Sequence, residues 1–242
     1  MKVEIVTYRN GETTVVEYDY QRRSDDEKPM VLDVLLQAQV SGMPDLAFRY
    51  GCRARNCGVC TVDINGRPRL ACRARIREGD TISAMATLPV LSDLVVRRDS
   101  IARQMRGRLP AQVSGNDLNV EASAEYHTLT ACVECYACLH GCPMHAQNLE
   151  PQGAGTAGTL EAGEGYRWGN PFSLLKLQMR RLDPLVTEPE KEAVVAQAVE
   201  LGLEVCIDCP GCKCGIGIDL KNKVVKALLD AAEQNSAQSP PD

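Results

Sequence analysis

The chain has 242 residues, twelve of them cysteine, a net charge of -5 and an aromatic fraction of only 4%. Its length predicts two domains, each large enough for a core, with part of the order supplied by metal-ligand bonds rather than by large buried rings. The mildly acidic, interspersed charge excludes the basic stripe that nucleic acid requires, and no run approaches the ~18 apolar residues that span a bilayer.

The opening MKVEIVTYRNGE lacks the basic-then-apolar pattern of a signal peptide, so a soluble, cytoplasmic chain is expected. Cysteines in that reducing compartment read as thiolate ligands rather than disulfides. Lys2 to Tyr8 and Thr13 to Tyr18 alternate in polarity around Asn10-Gly11, which predicts a hairpin. Met30 to Val40 places Leu32, Leu35, Leu36 and Val40 at helical spacing, predicting a helix with one apolar face. Thr61 to Leu70 reads as a further hairpin turning at Asn65-Gly66, so the first hundred residues predict a small mixed sheet with a helix packed across it. Asp99 to Ala124 is polar and mixed, as a crossover between halves would be. Beyond Thr130 the pattern is helical, with helices predicted over Phe172 to Leu182, Glu188 to Leu203 and Lys221 to Ala232. Gln152 to Gly165 is Gly-rich and predicts a mobile surface loop, and Asn235 to Asp242 predicts a disordered tail.

The cysteines fall into three sets. Cys52, Cys57 and Cys60, with Cys72 later, have the C-x4-C-x2-C…C spacing of plant-type [2Fe-2S] ferredoxins. Gly51 and Gly58 are expected to let the backbone approach the sulfurs there. A structural zinc site is the alternative for these four, although zinc favours paired CxxC knuckles. Cys132, Cys135, Cys138 and Cys142, followed by Pro143, form the bacterial ferredoxin run, in which three cysteines bind one cubane and the fourth crosses to another. The required partner set is Cys206, Cys209 and Cys212, which repeats the spacing, and it leaves Cys214 to complete the first cubane.

With each cluster supplied by four thiolates, His127, His140 and His145 are expected in ordinary polar roles. Arg53 and Arg55 either meet an acidic partner surface or are simply solvated. Trp168 is read as a packing anchor and Tyr136 as a neighbour of the second cubane. No nucleophile stands beside a base, and no phosphate loop or flavin or nicotinamide fingerprint is present, so no catalytic residue is expected and bond-making chemistry falls to another subunit.

In this order, LAFRYGCRARNCGVC, LACRARI, LPVLSDLVV and CVECYACLHGCP resemble the iron-sulfur subunit of succinate dehydrogenase and fumarate reductase. The resemblance covers the chain save the Gly-rich loop and the tail. It implies an α+β protein: an N-terminal β-grasp, plant-type [2Fe-2S] ferredoxin domain over residues 1–100, a crossover linker over 101–124, and an all-α helical ferredoxin domain over 125–234 that holds two cubane-type clusters. The Gly-rich loop then occupies 152–165 and the tail 235–242. It further implies an FAD-bearing flavoprotein partner acting on a C4 dicarboxylate, and a membrane anchor with quinone or haem. The chain would then sit peripherally on the cytoplasmic face of the inner membrane.

Carried over residue by residue, Cys52, Cys57, Cys60 and Cys72 match the [2Fe-2S] ligands, and Cys132, Cys135, Cys138 and Cys214 those of the middle [4Fe-4S] cluster. Cys142, Cys206 and Cys212 match the distal cluster, usually [3Fe-4S] because an apolar or hydroxyl residue stands where this chain has Cys209. A fourth thiolate there predicts a second [4Fe-4S] cluster. Departures from the family are the short Cys212 to Cys214 spacing and Gly215, where proline normally follows. Met144-His145-Ala146-Gln147 and Ile207 also replace the tryptophan pair and the histidine of the quinone pocket, so that site is expected to be altered or absent. The lower potential of a distal [4Fe-4S] cluster suits fumarate reduction better than succinate oxidation. The alternatives are the same electron wire serving another flavin dehydrogenase with a soluble thiol/disulfide or ferredoxin partner, and a free-standing carrier.

Overall fold

A computed structural model describes residues 1–105, 109, 120–149 and 168–238. Strands β1 (Lys2–Arg9) and β2 (Glu12–Asp19) pair antiparallel with Arg9 opposite Glu12. The turn residues Asn10 and Gly11 have φ of 51° and 85°, the left-handed pair whose twist matches the strands. β1 buries Val3, Ile5 and Thr7 on one face, as its alternation predicts. Strands β3 (Thr61–Ile64) and β4 (Arg67–Leu70) form the second predicted hairpin, with Asn65 and Gly66 again left-handed. Strand β5 (Thr81–Ser83) runs parallel to β1 and antiparallel to β3, giving the order β2-β1-β5-β3-β4.

Helix α1 (Val31–Ser41) forms where expected, with a different inner face. It buries Val31, Leu32, Val34, Leu35 and Ala38, whereas Val40 is 88% exposed. Val31, Val34, Leu35 and Ala38 make a complete i, i+3, i+4, i+7 stripe, and a helix turned to bury it must release Val40. The first amides of α1 donate to loop carbonyls, Val31 N to Ala74 O at 2.9 Å and Leu32 N to Ala71 O at 3.0 Å. A ribbon of β6 (Val90–Ser92) and β7 (Val95–Val96) turns through Asp93, whose φ is 46°. The buried Asp93 carboxylate accepts Arg9 Nε and Nη2, both at 2.9 Å, and Ala47 N at 2.8 Å. One side chain thus ties the end of β1, the segment before the first cysteine loop and the ribbon together.

The remaining elements are helical: α2 (Asp99–Gln104), α3 (Ala124–Thr130), α4 (Pro143–Leu149), α5 (Pro171–Leu182) and α6 (Glu188–Glu200). A 3-10 turn follows over Leu203–Cys206, and a π-helical segment, Lys221–Lys226, runs into α7 (Ala227–Gln238). α5 starts on a reciprocal cap in which Asn170 Oδ1 accepts Ser173 N at 2.9 Å and Ser173 Oγ accepts Asn170 N at 2.8 Å. α5 buries Phe172, Leu174, Leu175 and Leu177, while α6 buries Val194, Val195 and Ala198. The half-buried Trp168, read from sequence as a packing anchor, has its ring close to Gly202, where a Cβ would stand 3.0 Å from it. The expected disorder from Asn235 onward is corrected as far as Gln238, because α7 runs on from Ala227 through Ala231, Ala232 and Glu233 to that residue, and Ser236 Oγ donates to Ala232 O at 2.9 Å.

The architecture is α+β, with an N-terminal sheet and a helical C-terminal part. The chain forms two compact units: of the described residues, the first takes 1–98 and Val133–His140, and the second takes the remainder. The Gly-rich segment 152–165 and most of 101–124 lie outside the described residues. Among the described residues, no helix is long and apolar enough to cross a membrane.

Candidate metal centres

All twelve cysteines are free thiols, and among the described residues no three His, Cys, Asp or Glu side chains close up around a single-ion position. In the first set, the hairpin does the gathering. Cys60 precedes β3 and Cys72 follows β4, so pairing Thr61 with Leu70 brings the two buried thiols side by side. Ala71 N donates to Cys60 O at 3.0 Å, and the Cys72 amide donates to the Cys60 thiol. Cys52 and Cys57 ride on the irregular loop ahead of β3. Arg53 and Arg55, at φ of 55° and 64°, curl that loop so that Ala54 N and Asn56 N both donate to Cys52 Sγ, at 3.3 and 3.2 Å.

These amides, with the Cys57 thiol adding to them, hold the exposed Cys52 thiol down at about 7. Burial pushes Cys60 up to about 11, and its neighbours Cys72 and Cys57 reinforce that shift by like charge. Four thiols linked pairwise, with main-chain donors aimed at sulfur, are the donor chemistry that an anionic iron-sulfur cluster needs.

Gly51 lies beside the loop's sulfur, since a Cβ there would stand 3.4 Å from Cys57 Sγ. The expectation for Gly58 is corrected. Its missing side chain admits other main chain, because a Cβ would fall 2.0 Å from Val133 O and 2.9 Å from Cys135 N. Arg53 and Arg55 are exposed, and Arg53 lies 5.4 Å above the Tyr50 ring.

In the second run, Cys132 N donates to Leu129 O at 3.1 Å, just past the end of α3. Glu134 and Tyr136 are left-handed, and a 3-10 turn over Ala137–Leu139 carries Cys138. Cys135 and Tyr136 are buried, and the Arg98 guanidinium covers the Tyr136 ring at 4.8 Å.

The third grouping lies within the second unit. Cys142 is buried ahead of α4, and its thiol accepts the His145 and Met144 amides; burial nevertheless raises it, with like-charge repulsion from Cys209 adding to the rise. Burial pushes Cys206 and Cys212 up to about 12, and each also feels Cys142 and Cys209 electrostatically. Cys142, Cys206, Cys209 and Cys212 are therefore mutual neighbours. Lys221 supports their loop, its Nζ donating to Pro210 O at 3.3 Å while its stem packs under Gly211. Cys214 begins a separate turn whose carbonyl accepts Gly217 N at 3.3 Å.

His127 and His140 are exposed, His145 is buried, and Ile207 stands 65% exposed beside Cys206. Sequence reasoning missed Arg98 and Lys221. Nothing local marks either, since each acts on carbonyls distant along the chain.

The profile of a 2Fe-2S iron-sulfur cluster binding domain matches residues 2–103. A fumarate reductase (CoM/CoB) subunit from Methanothermobacter marburgensis is 31% identical over 191 residues, covering 77% of this chain and 34% of that one. The fumarate reductase iron-sulfur subunit of Escherichia coli O6:H1 is 27% identical over 62% of this chain and 66% of its own length. The rice mitochondrial succinate dehydrogenase iron-sulfur subunit 1 is 33% identical, over 62% of this chain and 56% of that one. The chain thus spans between a third and two thirds of the length of these curated relatives. In structure it matches a chain of the Mycobacterium smegmatis Sdh1 complex in the apo form, with a TM-score of 0.77, 22% identity and coverage of 99% and 98%. With the thiol sets, these matches show a 2Fe-2S domain over residues 2–103 and a chain similar to the iron-sulfur subunits of succinate dehydrogenases and fumarate reductases.

Proposed function

We infer that this chain is the electron-transfer subunit of a succinate dehydrogenase/fumarate reductase-type complex. It relays electrons between an FAD-bearing dicarboxylate oxidoreductase subunit and a quinone-linked membrane partner, lying peripherally on the cytoplasmic face of the inner membrane. Residues 1–100 act as a β-grasp [2Fe-2S] ferredoxin domain and 125–234 as a helical ferredoxin domain, joined by 101–124. Cys52, Cys57, Cys60 and Cys72 hold a [2Fe-2S] cluster. Cys132, Cys135, Cys138 and Cys214 hold a [4Fe-4S] cluster, and Cys142, Cys206, Cys209 and Cys212 a second one. Bound clusters supply one-electron redox capacity without bond-making. The chain's own part is to hold thiolate charge with main-chain amides, as at Cys52 and Cys142, and to exclude water from Cys60, Cys72 and Cys135.

What supports the distal assignment is the proximity of Cys209 to Cys142, Cys206 and Cys212, which would put a fourth thiol within reach of that site. Iron analysis of the anaerobically purified chain should give about ten irons, and the oxidised protein should lack the EPR signal of a three-iron centre. Replacing Cys209 by serine should convert or empty the distal site alone. About nine irons with a strong oxidised signal in the unaltered chain would refute the second [4Fe-4S] cluster.

A second reading replaces the quinone by a soluble thiol/disulfide partner. It is favoured by the match over 77% of this chain to a fumarate reductase subunit named for CoM/CoB. Reduction of the complex by low-molecular-weight dithiols but not by quinols would select it.

A further inference from the structure

Gly58 lies between Cys57 and Cys60, and Arg98 closes the N-terminal stretch of the first unit. Arg98 Nη1 donates to Gly58 O at 3.3 Å, and Nη2 donates to Glu134 O. The same guanidinium lies 4.8 Å from the centroid of the buried Tyr136 ring, and its charge acts on Cys135. Beneath this clamp, a Gly58 Cβ would stand 2.0 Å from Val133 O and 2.9 Å from Cys135 N. The first and second cysteine loops therefore meet main chain to main chain with no side chain between them.

A planar fork can reach carbonyls on two loops while its charge sits over an aromatic ring, which lysine, a point charge on a flexible stem, cannot. A fixed positive charge beside both loops favours whichever of them carries the extra electron.

Resting on the electron-relay reading above, the geometry points to Arg98 as a positioning residue for transfer between the first two thiol sets. It locks the Cys57–Cys60 loop onto the Val133–Tyr136 main chain and stabilises the reduced state of both sites. In each transfer one electron is lost at the first set and gained at the second. No bond changes and no proton moves. The match to 2Fe-2S domains ends at residue 103, so this clamp joins the profile-matched region to a cysteine run beyond it.

The test is an EPR-monitored redox titration of the full chain, loaded anaerobically with iron and sulfide, comparing wild type with Arg98→Met and Arg98→Lys. Arg98→Met should lower the reduced-to-oxidised ratio of both sites about tenfold at fixed ambient potential, a shift of about 59 mV for a one-electron couple. Arg98→Lys keeps the charge and should hold both midpoints near wild type, yet weaken the magnetic interaction between the two reduced sites as the loops loosen. Unshifted midpoints in an Arg98→Met protein that shows both signals would overturn the inference. If Arg98→Met fails to load, an Arg98→Lys protein with wild-type magnetic interaction would overturn it instead. A wild-type chain with neither signal would sink the relay reading itself, and this inference with it.

Discussion

Replacing Gly58 by alanine tests the approach of the two cysteine loops directly, because the structure separates its two penalties. Gly58 has φ of 65°, where any L-residue is strained, and its Cβ would also fall 2.0 Å from a main-chain oxygen. Gly66, in the β3–β4 turn, has φ of 73° with nothing within 4 Å of its Cβ, so Gly66→Ala carries the conformational penalty alone. That penalty is about 1 to 2 kcal/mol. Forcing a methyl group into packed main chain adds about 1 to 3 kcal/mol, since the neighbours are backbone and cannot rotate aside. Gly58→Ala is therefore expected to destabilise by about 2 to 5 kcal/mol. The assay is anaerobic urea denaturation of the full chain followed by circular dichroism, with the two variants run side by side. If Gly58→Ala proves no worse than Gly66→Ala, the loops do not meet as described.

Asp93→Asn probes the tie that joins β1 to the ribbon. Burial alone would push the Asp93 carboxyl up, but the Arg9 guanidinium and the Ala47 amide outweigh it and hold the carboxyl below its ordinary value. A depressed carboxyl contributes stability that is fully present above its unfolded value near 3.9 and is lost as pH falls through the lower folded value. Asp93→Asn should thus be about 1.5 to 3 kcal/mol less stable at neutral pH, converging with wild type below pH ~4. A gap between the urea midpoints that stays constant with pH would contradict this. Lys221→Met should keep the stem that packs under Gly211 and lose the bond to Pro210 O, speeding iron loss from the distal set to a chelator while the first set keeps its iron. Equal rates in mutant and wild type would remove Lys221 from that role.

The legible parts of this chain are those whose cause is local. Cysteine spacing is a property of one loop, and an Asn-Gly pair sets its own left-handed turn, so both hairpins fall where sequence reasoning puts them. Helix α1 was legible as a helix but not as a face. Leu32, Leu35, Leu36 and Val40 share helical spacing as Val31, Val34, Leu35 and Ala38 do, and only what the helix packs against decides between them. Gly58 was legible as a position without a side chain, but its close neighbour, Val133, is distant in sequence. Arg98 gave no signal, and Asp93 lay within LPVLSDLVV with nothing to mark its partner. Arg98 reaches carbonyls 40 and 36 residues away, and Asp93 meets Arg9 across 84 residues; no periodicity marks a bond of that span.

The first thiol set has two differently built sides. Cys60 and Cys72 stand at the ends of a paired hairpin, and the carbonyls of Ala71 and Ala74, flanking Cys72, accept the first amides of α1. Neither thiol moves without disturbing the sheet or unseating the helix. The interval between these two cysteines is the length of a hairpin, which is why it follows no fixed motif spacing. Cys52 instead sits exposed on a loop held in shape by left-handed residues and by amides bonded to its own sulfur. Beside Gly58 the same loop is covered, closed by the main chain of Val133 to Cys135 and the fork of Arg98. In the relay proposed above, an open side would face a partner and a pressed side would face the next site. Here the open side is at Cys52 and the pressed side at Gly58, six residues apart on one loop.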